Sequence, residues 1–186
     1  MPEPAGDGPI VYLIRHCQAV SPPGPDSQLT NRGHVDAVEV GHRLADRGIR
    51  RIVSSPYARA SQTVQPLAQT LGIPVETDDR LRERQVPFDP NLDWREYIRP
   101  TFFDLDLVLP DGESSRSAIE RVTAAFHDAA AGATPVAVAT HGQVLSLLLM
   151  SLDHRSGFDA WVAMTTPDIY RLTMIGEAAQ IERIWS

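Results

Sequence analysis

Cysteine is almost absent from this chain: Cys17 is the only one among 186 residues. No intramolecular disulfide can therefore form. Positive charge is also in short supply, because 17 Lys and Arg residues face 24 Asp and Glu residues and give a net charge of -7. Nucleic acids and acidic membranes attract proteins of the opposite balance, so we expect neither partner. A local arginine cluster can still bind a small anionic substrate.

Long apolar runs are missing as well. The longest, residues 144–150, is far shorter than the roughly 20 residues that a membrane-spanning helix needs. Residues 1–9 are rich in Pro, Gly and acidic side chains and lack the basic and apolar parts of a secretory signal. We therefore expect a cytoplasmic protein, with residues 1–186 forming one domain around one hydrophobic core.

Short apolar segments alternate with helical patterns along the chain, which is typical of a layered α/β domain. We predict strands at residues 10–14, 51–54, 74–76, 135–139, 168–174 and 180–185, and helices at 30–47, 56–72, 114–131 and 144–151. In the first helix, Val35, Val38, Leu44 and Ala45 are expected to form the buried stripe. Residues 85–112 are expected to be a partly helical, lid-like excursion.

The chemically active side chains follow different predicted strands. Arg15 and His16 come after the first strand, Arg59 opens the helix after the second, Glu83 follows the third, and His141 follows the fourth. Ligands of open α/β sheets bind beyond the carboxyl ends of the strands. We therefore expect these residues to share one cleft.

These residue types suit phosphoryl transfer. A guanidinium group holds two phosphate oxygens at once. A neutral imidazole is a competent nucleophile near pH 7, and covalent catalysis replaces one difficult displacement with two easier ones. A carboxyl group such as that of Glu83 can protonate the leaving oxygen.

The same residues lie in a series of motifs that resembles the histidine phosphatase superfamily, the phosphoglycerate-mutase-like proteins. The motifs are LIRHCQA at residues 13–19, LT-x-x-G at 29–33, SSPY-x-RA-x-QT at 54–63, LRE at 81–83, GES at 112–114 and THG at 140–142. They occur in the order of the family and cover nearly the whole chain. The resemblance implies a three-layer α/β/α sandwich, with a mostly parallel sheet and helices on both faces.

The resemblance also implies roles for individual residues. His16 would be the nucleophile, and Arg15, Arg59 and His141 would surround the phosphoryl group. Glu83 would protonate the departing alkoxide and then activate the water that hydrolyses phospho-His16. Gln18 and Gly142 would add phosphate contacts.

The expected reaction is hydrolysis of the phosphate monoester of a small metabolite, and neither a metal nor another cofactor is expected. The substrate and the oligomeric state are left open.

The sequence departs from the family pattern at two positions near the nucleophile. Cys17 replaces a usual glycine or small residue, which is expected to restrict the backbone or narrow the pocket. Pro22 replaces an asparagine that is frequent in the mutase-like branch. Both departures favour a phosphatase over a mutase.

Several alternatives remain at this point. The protein could be a phosphoglycerate-mutase-type phosphotransferase, a phosphate-binding regulatory module, or a metallohydrolase with His16, Glu83 and His141 as ligands. Individual residues also have plainer interpretations: Arg59 as a solvated helix residue, His141 as a core histidine, and Glu83 with Arg82 and Arg84 as a surface salt-bridge patch. The aromatic residues of 94–103 are interpreted as packing.

Overall fold

The computed structural model of the protein describes residues 8–21, 24–86, 91–153, 157–176 and 178–185. Six strands form one sheet in the order β3-β2-β4-β1-β5-β6. Their bounds are β1 Ile10–Arg15, β2 Arg51–Ser54, β3 Val75–Thr77, β4 Val136–Thr140, β5 Asp168–Ile175 and β6 Ala178–Arg183. The first four strands pair in parallel, and β5 and β6 run antiparallel to their neighbours.

Helices cover both faces of this sheet. Their bounds are α1 Asn31–Ala45, α2 Ala58–Leu71, α3 Trp94–Ile98, α4 Ser115–Ala131, α5 Gly142–Leu152 and α6 Phe158–Ala163, with short 3₁₀ helices at Asp79–Leu81 and Arg99–Phe102. One face of the sheet packs against α1 and α2, and the other packs against α4 and α5. The predicted three-layer sandwich and its mostly parallel sheet are confirmed.

The central strands are buried because both faces of the sheet are covered. Every residue of β4 is buried, as is typical of a parallel strand between two helical layers. The short apolar runs that predicted β1, β2 and β4 therefore reflect their position in the middle of the sheet.

The predicted buried stripe of α1 is wrong in part. Val35 is 63% exposed and Val38 is 46% exposed, and Ala45 is only partly buried, although Leu44 is buried as expected. Half of the buried residues are glycine or alanine, and the full set is Gly33, Asp36, Ala37, Val40, Gly41 and Leu44. A methyl group on Gly33 would come 2.1 Å from the Gln18 carbonyl oxygen, so this helix packs closely through its smallest side chains.

Residues 87–90 of the predicted 85–112 excursion lie outside the described residues. The rest of that segment is partly helical, as predicted, and packs together with α6, a helix that the sequence did not predict. Ile98 and Phe102 share a hydrophobic cluster with Phe158 of α6 and with Leu147 of α5. The Arg84 guanidinium links this segment to α4, because it donates to Thr101 at 2.9 Å and to Ser115 at the start of α4. Among the described residues, no helix is both long and apolar enough to cross a lipid bilayer.

Candidate active site

The register of the sheet places the ends of β1, β2 and β4 side by side. Arg15 lies opposite Thr140, and the His16 amide donates to the Thr140 carbonyl at 3.0 Å. On the other side of β4, the Ser55 amide donates to the Ala139 carbonyl at 2.9 Å. His16, Ser55 and His141 therefore leave the sheet at the same edge.

The His16 imidazole is held in one orientation by its own backbone. Its Nδ1 lies 2.7 Å from the Cys17 carbonyl oxygen, which can only accept, so Nδ1 carries the proton and Nε2 keeps the lone pair. Burial, and then the charges of Arg59 and Arg15, lower the pKa of His16 to about 3. The imidazole is therefore neutral at physiological pH.

Arg59 lies directly beside this lone pair. Its Nε donates to His16 Nε2 at 3.2 Å, and Nη1 donates to the Gly24 carbonyl at 2.6 Å. The side chain is only 4% exposed, and burial lowers its pKa. Arg59 is thus a buried residue that contacts His16, and the interpretation as a solvated helix residue is wrong.

Arg15 approaches the same edge from β1. Its Nη1 donates to the Met164 carbonyl at 3.0 Å, and its buried Nε has no partner among the described residues. A Cβ on Gly142 would lie 3.0 Å from three guanidinium atoms of Arg15. Gly142 therefore makes room for Arg15 at the first residue of α5.

His141 is fully buried and lies next to His16. The centroids of the two rings are 5.1 Å apart, and His141 Nε2 lies 2.7 Å from Ser55 Oγ. Its Nδ1 has no hydrogen-bond partner among the described residues. Burial and the nearby His16 and Arg59 lower the pKa of His141 well below its usual value, so this ring is also neutral.

Glu83 lies at the amino end of α5. Its carboxylate accepts from the backbone amides of Val144 at 3.1 Å, Gln143 at 3.3 Å and Arg84 at 2.9 Å. A negative charge is favourable at this position because the first amides of a helix have no acceptor within the helix and because the helix dipole is positive at this end. The same carboxylate borders the cavity that contains His16.

The residues that flank Glu83 have partners of their own. Arg82 pairs with Asp79 at 2.5 Å, and Arg84 binds Ser115 and Thr101. Arg84 is 3% exposed. The three residues therefore do not form the surface salt-bridge patch that the sequence also allowed.

The residues next to His16 differ in where they point. Cys17 is fully buried, its amide donates to Thr63 Oγ1 at 2.9 Å, and burial raises the pKa of its thiol to about 12. It is not among the residues that line the cavity, so the expected narrowing by its side chain is wrong. Gln18 does line the cavity, and its side-chain oxygen accepts from Thr30. Pro22 lies outside the described residues.

The cavity at this edge of the sheet has a volume of about 530 Å³. Arg15, His16, Arg59 and Glu83 line it, and Gln18 and Gln143 add amide groups. The sequence-predicted residues are thus brought together, except that His141 is buried behind His16 and Gly142 behind Arg15. Among the residues that the structure describes, no group of three or more His, Cys, Asp or Glu side chains is placed to hold a metal ion.

Sequence reasoning did not identify three contacts that fix this geometry. Ser55 binds His141, the Met164 carbonyl binds Arg15, and Asp168 holds the turn that contains Met164. Asp168 is fully buried, pairs with Arg183 at 2.7 Å and accepts from the Thr165 amide. Only the SSP string before Arg59 gave any signal for Ser55; the other two depend on a turn far along the chain.

The sequence model of the histidine phosphatase superfamily (branch 1) matches residues 11–185. The chain belongs to the histidine phosphatase superfamily. Among curated relatives it is 32% identical over 171 residues to "Probable phosphoglycerate mutase GpmB" of Salmonella arizonae, an alignment that covers 81% of this chain and 76% of that protein. The histidine phosphatase assignment thus agrees with the motif order in the sequence.

Solved structures share the fold of this chain. A mycobacterial glucosyl-3-phosphoglycerate phosphatase with inorganic phosphate has a TM-score of 0.76 at 22% identity, and the match covers 95% of each chain. Bacillus stearothermophilus YhfR has a TM-score of 0.72 at 25% identity, covering 94% of this chain and 96% of its own. The proteins similar to this chain thus include one named a phosphatase, which shares its fold, and a relative named a probable mutase.

Proposed function

We propose that this protein is a metal-independent phosphatase that hydrolyses phosphate monoesters of small metabolites through a phosphohistidine on His16. The observation that carries the proposal is the state of the His16 ring: Nδ1 donates to Cys17, and the lone pair of Nε2 faces Arg59 beside the cavity. A neutral imidazole in this tautomer is a ready nucleophile toward phosphorus.

In the first step, His16 Nε2 attacks phosphorus and forms the N–P bond while the P–O bond to the alcohol breaks. Arg59 releases its contact with Nε2 and donates to the phosphoryl oxygens together with Arg15, while the buried His141 ring packs against His16. Catalysis of phosphoryl transfer consists mainly in stabilising the negative charge on these oxygens in the transition state, and buried guanidinium groups stabilise that charge strongly.

Glu83 supplies the proton for the leaving group. In its protonated form it gives the proton to the departing alkoxide, and as a carboxylate it then takes a proton from the attacking water. Water breaks the N–P bond, which yields inorganic phosphate and regenerates neutral His16. The contact between Glu83 and the α5 amides keeps this carboxyl group at the edge of the cavity, where the leaving oxygen and the attacking water have to pass.

A phosphate-release screen over sugar phosphates, phosphoglycerates and nucleotides tests the proposal. We expect activity on several esters and a loss of at least about 10³-fold in His16→Ala, because the nucleophile acts in every turnover. His42→Ala on the exposed face of α1 is the matched control and should keep full activity. Equal rates in His16→Ala and the parent protein would refute the phosphohistidine route.

A mutase is the second candidate, because the relative at 32% identity is named a probable phosphoglycerate mutase. Acid quenching of the reaction with phosphoglycerate separates the two. A phosphatase releases inorganic phosphate in proportion to substrate consumed, whereas a mutase conserves the ester and moves it between oxygens. Conserved ester without phosphate release would establish the mutase reaction.

A further inference from the structure

One wall of the cavity is built from tryptophan rather than from polar side chains. Trp94 of α3 and Trp161 of α6 both line the cavity that contains His16, and their ring centroids are 6.3 Å apart. Val20 and Val86 lie on the same cavity surface. The cavity that contains His16 is thus lined in part by apolar and aromatic side chains.

The two tryptophans belong to an aromatic cluster that holds them in place. Trp161 lies 5.7 Å from Phe158 and 6.0 Å from Phe102, and these two phenylalanines are themselves in edge contact at 5.6 Å. Phe102 and Phe158 are 6% and 8% exposed. Trp94 and Trp161 are only partly buried, so the cluster fills the core with phenylalanine and leaves tryptophan surface toward the cavity.

The volume of the cavity supports the same conclusion. At about 530 Å³ it lies in the range of sites for drug-sized ligands, which is far more than a three-carbon phosphoglycerate needs. Tryptophan offers a large rigid face, and aromatic groups gain from stacking beyond the area that they bury.

We infer that the preferred substrates carry an aromatic ring on the alcohol, which packs against Trp94 and Trp161 while His16 takes the phosphoryl group. The inference rests on the proposed phosphatase function and names the substrate class of that site. It assigns the specificity of the enzyme to Trp94, one of the aromatic residues of 94–103 that were interpreted as packing, and to Trp161 of α6.

The test compares phenylpropyl phosphate with propyl phosphate, because both esters release a primary alcohol and differ only in the ring. We expect the parent protein to favour phenylpropyl phosphate by at least about tenfold in kcat/KM. Trp94→Leu keeps apolar bulk but removes the ring face, so the preference should fall by about two- to tenfold. Trp161→Phe, which retains an aromatic group in the cluster, should lower it less.

Trp185 provides the matched control, because it is the third tryptophan of the chain and contacts Arg43, away from the cavity. Trp185→Leu should leave the ratio of the two kcat/KM values unchanged. A ratio near one in the parent protein, or an unchanged ratio in Trp94→Leu, overturns the inference.

The outcomes also separate this inference from the proposed function. Hydrolysis of both esters at equal kcat/KM, with loss of activity in His16→Ala, leaves the phosphatase intact and refutes the ring preference. If neither ester is hydrolysed, the proposed function fails for these substrates, and binding of the corresponding phosphonates decides the inference. Calorimetry should then show tighter binding of phenylpropylphosphonate than of propylphosphonate to the parent protein, and equal dissociation constants would refute it.

Discussion

The guanidinium group of Arg15 lies against the backbone of Gly142, so that a side chain at position 142 would push the guanidinium group aside by a few tenths of an ångström. A methyl group there would lie 3.0 Å from Nε, Cζ and Nη2 of Arg15. Since Nη1 is tied to the Met164 carbonyl, Arg15 cannot retreat without losing that bond. The position of one glycine therefore sets the position of a phosphate-binding group.

We predict that Gly142→Ala displaces Arg15 and lowers kcat/KM for phosphate esters by about ten- to a hundredfold, since small misplacements of a binding group are costly. Steady-state kinetics check this. Gly157→Ala is the control, because its nearest contact is Met150 Sδ at 4.0 Å and the added methyl group fits. Unchanged kinetics in Gly142→Ala would contradict the view that this glycine sets the position of Arg15.

Single residues were partly predictable from the sequence. His16 and Arg59 could be picked out because motif order and position after a strand are local properties. The neutral state of His141 and the Nδ1 proton of His16 could not, because they depend on burial and on carbonyl groups brought near by folding. The contact between the Met164 carbonyl and Arg15 could not be predicted either, because the two residues lie far apart in the sequence.

At the scale of elements, α1 shows why hydrophobic residues at helical spacing did not identify its buried face. The helix packs against α2, where Gly41 approaches the backbone of Leu67, and against the chain after β1, where Gly33 approaches Gln18. Close approach requires small side chains, so two valines were left on the solvent side. The sequence pattern predicted the helix and its Thr30 cap, but the stripe prediction favoured large residues over glycine and alanine.

The same substitution at two positions of α1 tests this assignment. Val40→Ala should lower the free energy of unfolding by about 1–3 kcal/mol, because Val40 is fully buried. Val35→Ala should change it by less than about 0.5 kcal/mol, because that side chain is 63% exposed. Urea denaturation of both variants is sufficient, and a larger loss at Val35 would contradict the orientation of the helix.

At the scale of the whole molecule, two histidines are held in the neutral form, His141 in the core and His16 partly buried beside the cavity. Folding lowers the pKa of His16 to about 3 and that of His141 well below its usual value, whereas both are near 6.5 in an unfolded chain. The unfolded state therefore binds more protons below pH 6.5. The free energy of unfolding is highest above that pH and falls as the pH is lowered toward 3.

We predict a loss of up to about 1.4 kcal/mol per pH unit for each of the two histidines between pH 6.5 and 5, measured by denaturation at a series of pH values. His16→Gln should reduce this slope, because one of the two groups no longer titrates. His42→Gln, on an exposed position, should keep the parent slope. Identical slopes in the parent protein and His16→Gln would exclude a buried neutral imidazole at position 16.

The assembly of the site from distant segments was the most predictable property of the whole molecule. Parallel strands bring their carboxyl ends to one edge of the sheet. The residues that follow β1, β2 and β4 therefore lie close together, regardless of the conformation of the loops. The shape of the cavity was much less predictable, because Trp94 and Trp161 come from short helices with few local signals.

The hydrogen bond between His16 Nδ1 and the carbonyl of the next residue has a chemical consequence. The bond joins adjacent residues, so it does not depend on whether the cavity is occupied. Because Nδ1, the pros nitrogen, carries the proton, Nε2, the tele nitrogen, is the only nitrogen of the ring with a free lone pair. A phosphoryl group carried by this histidine is therefore expected as the tele isomer, without the pros form. Phosphorus NMR of the trapped protein distinguishes the two isomers.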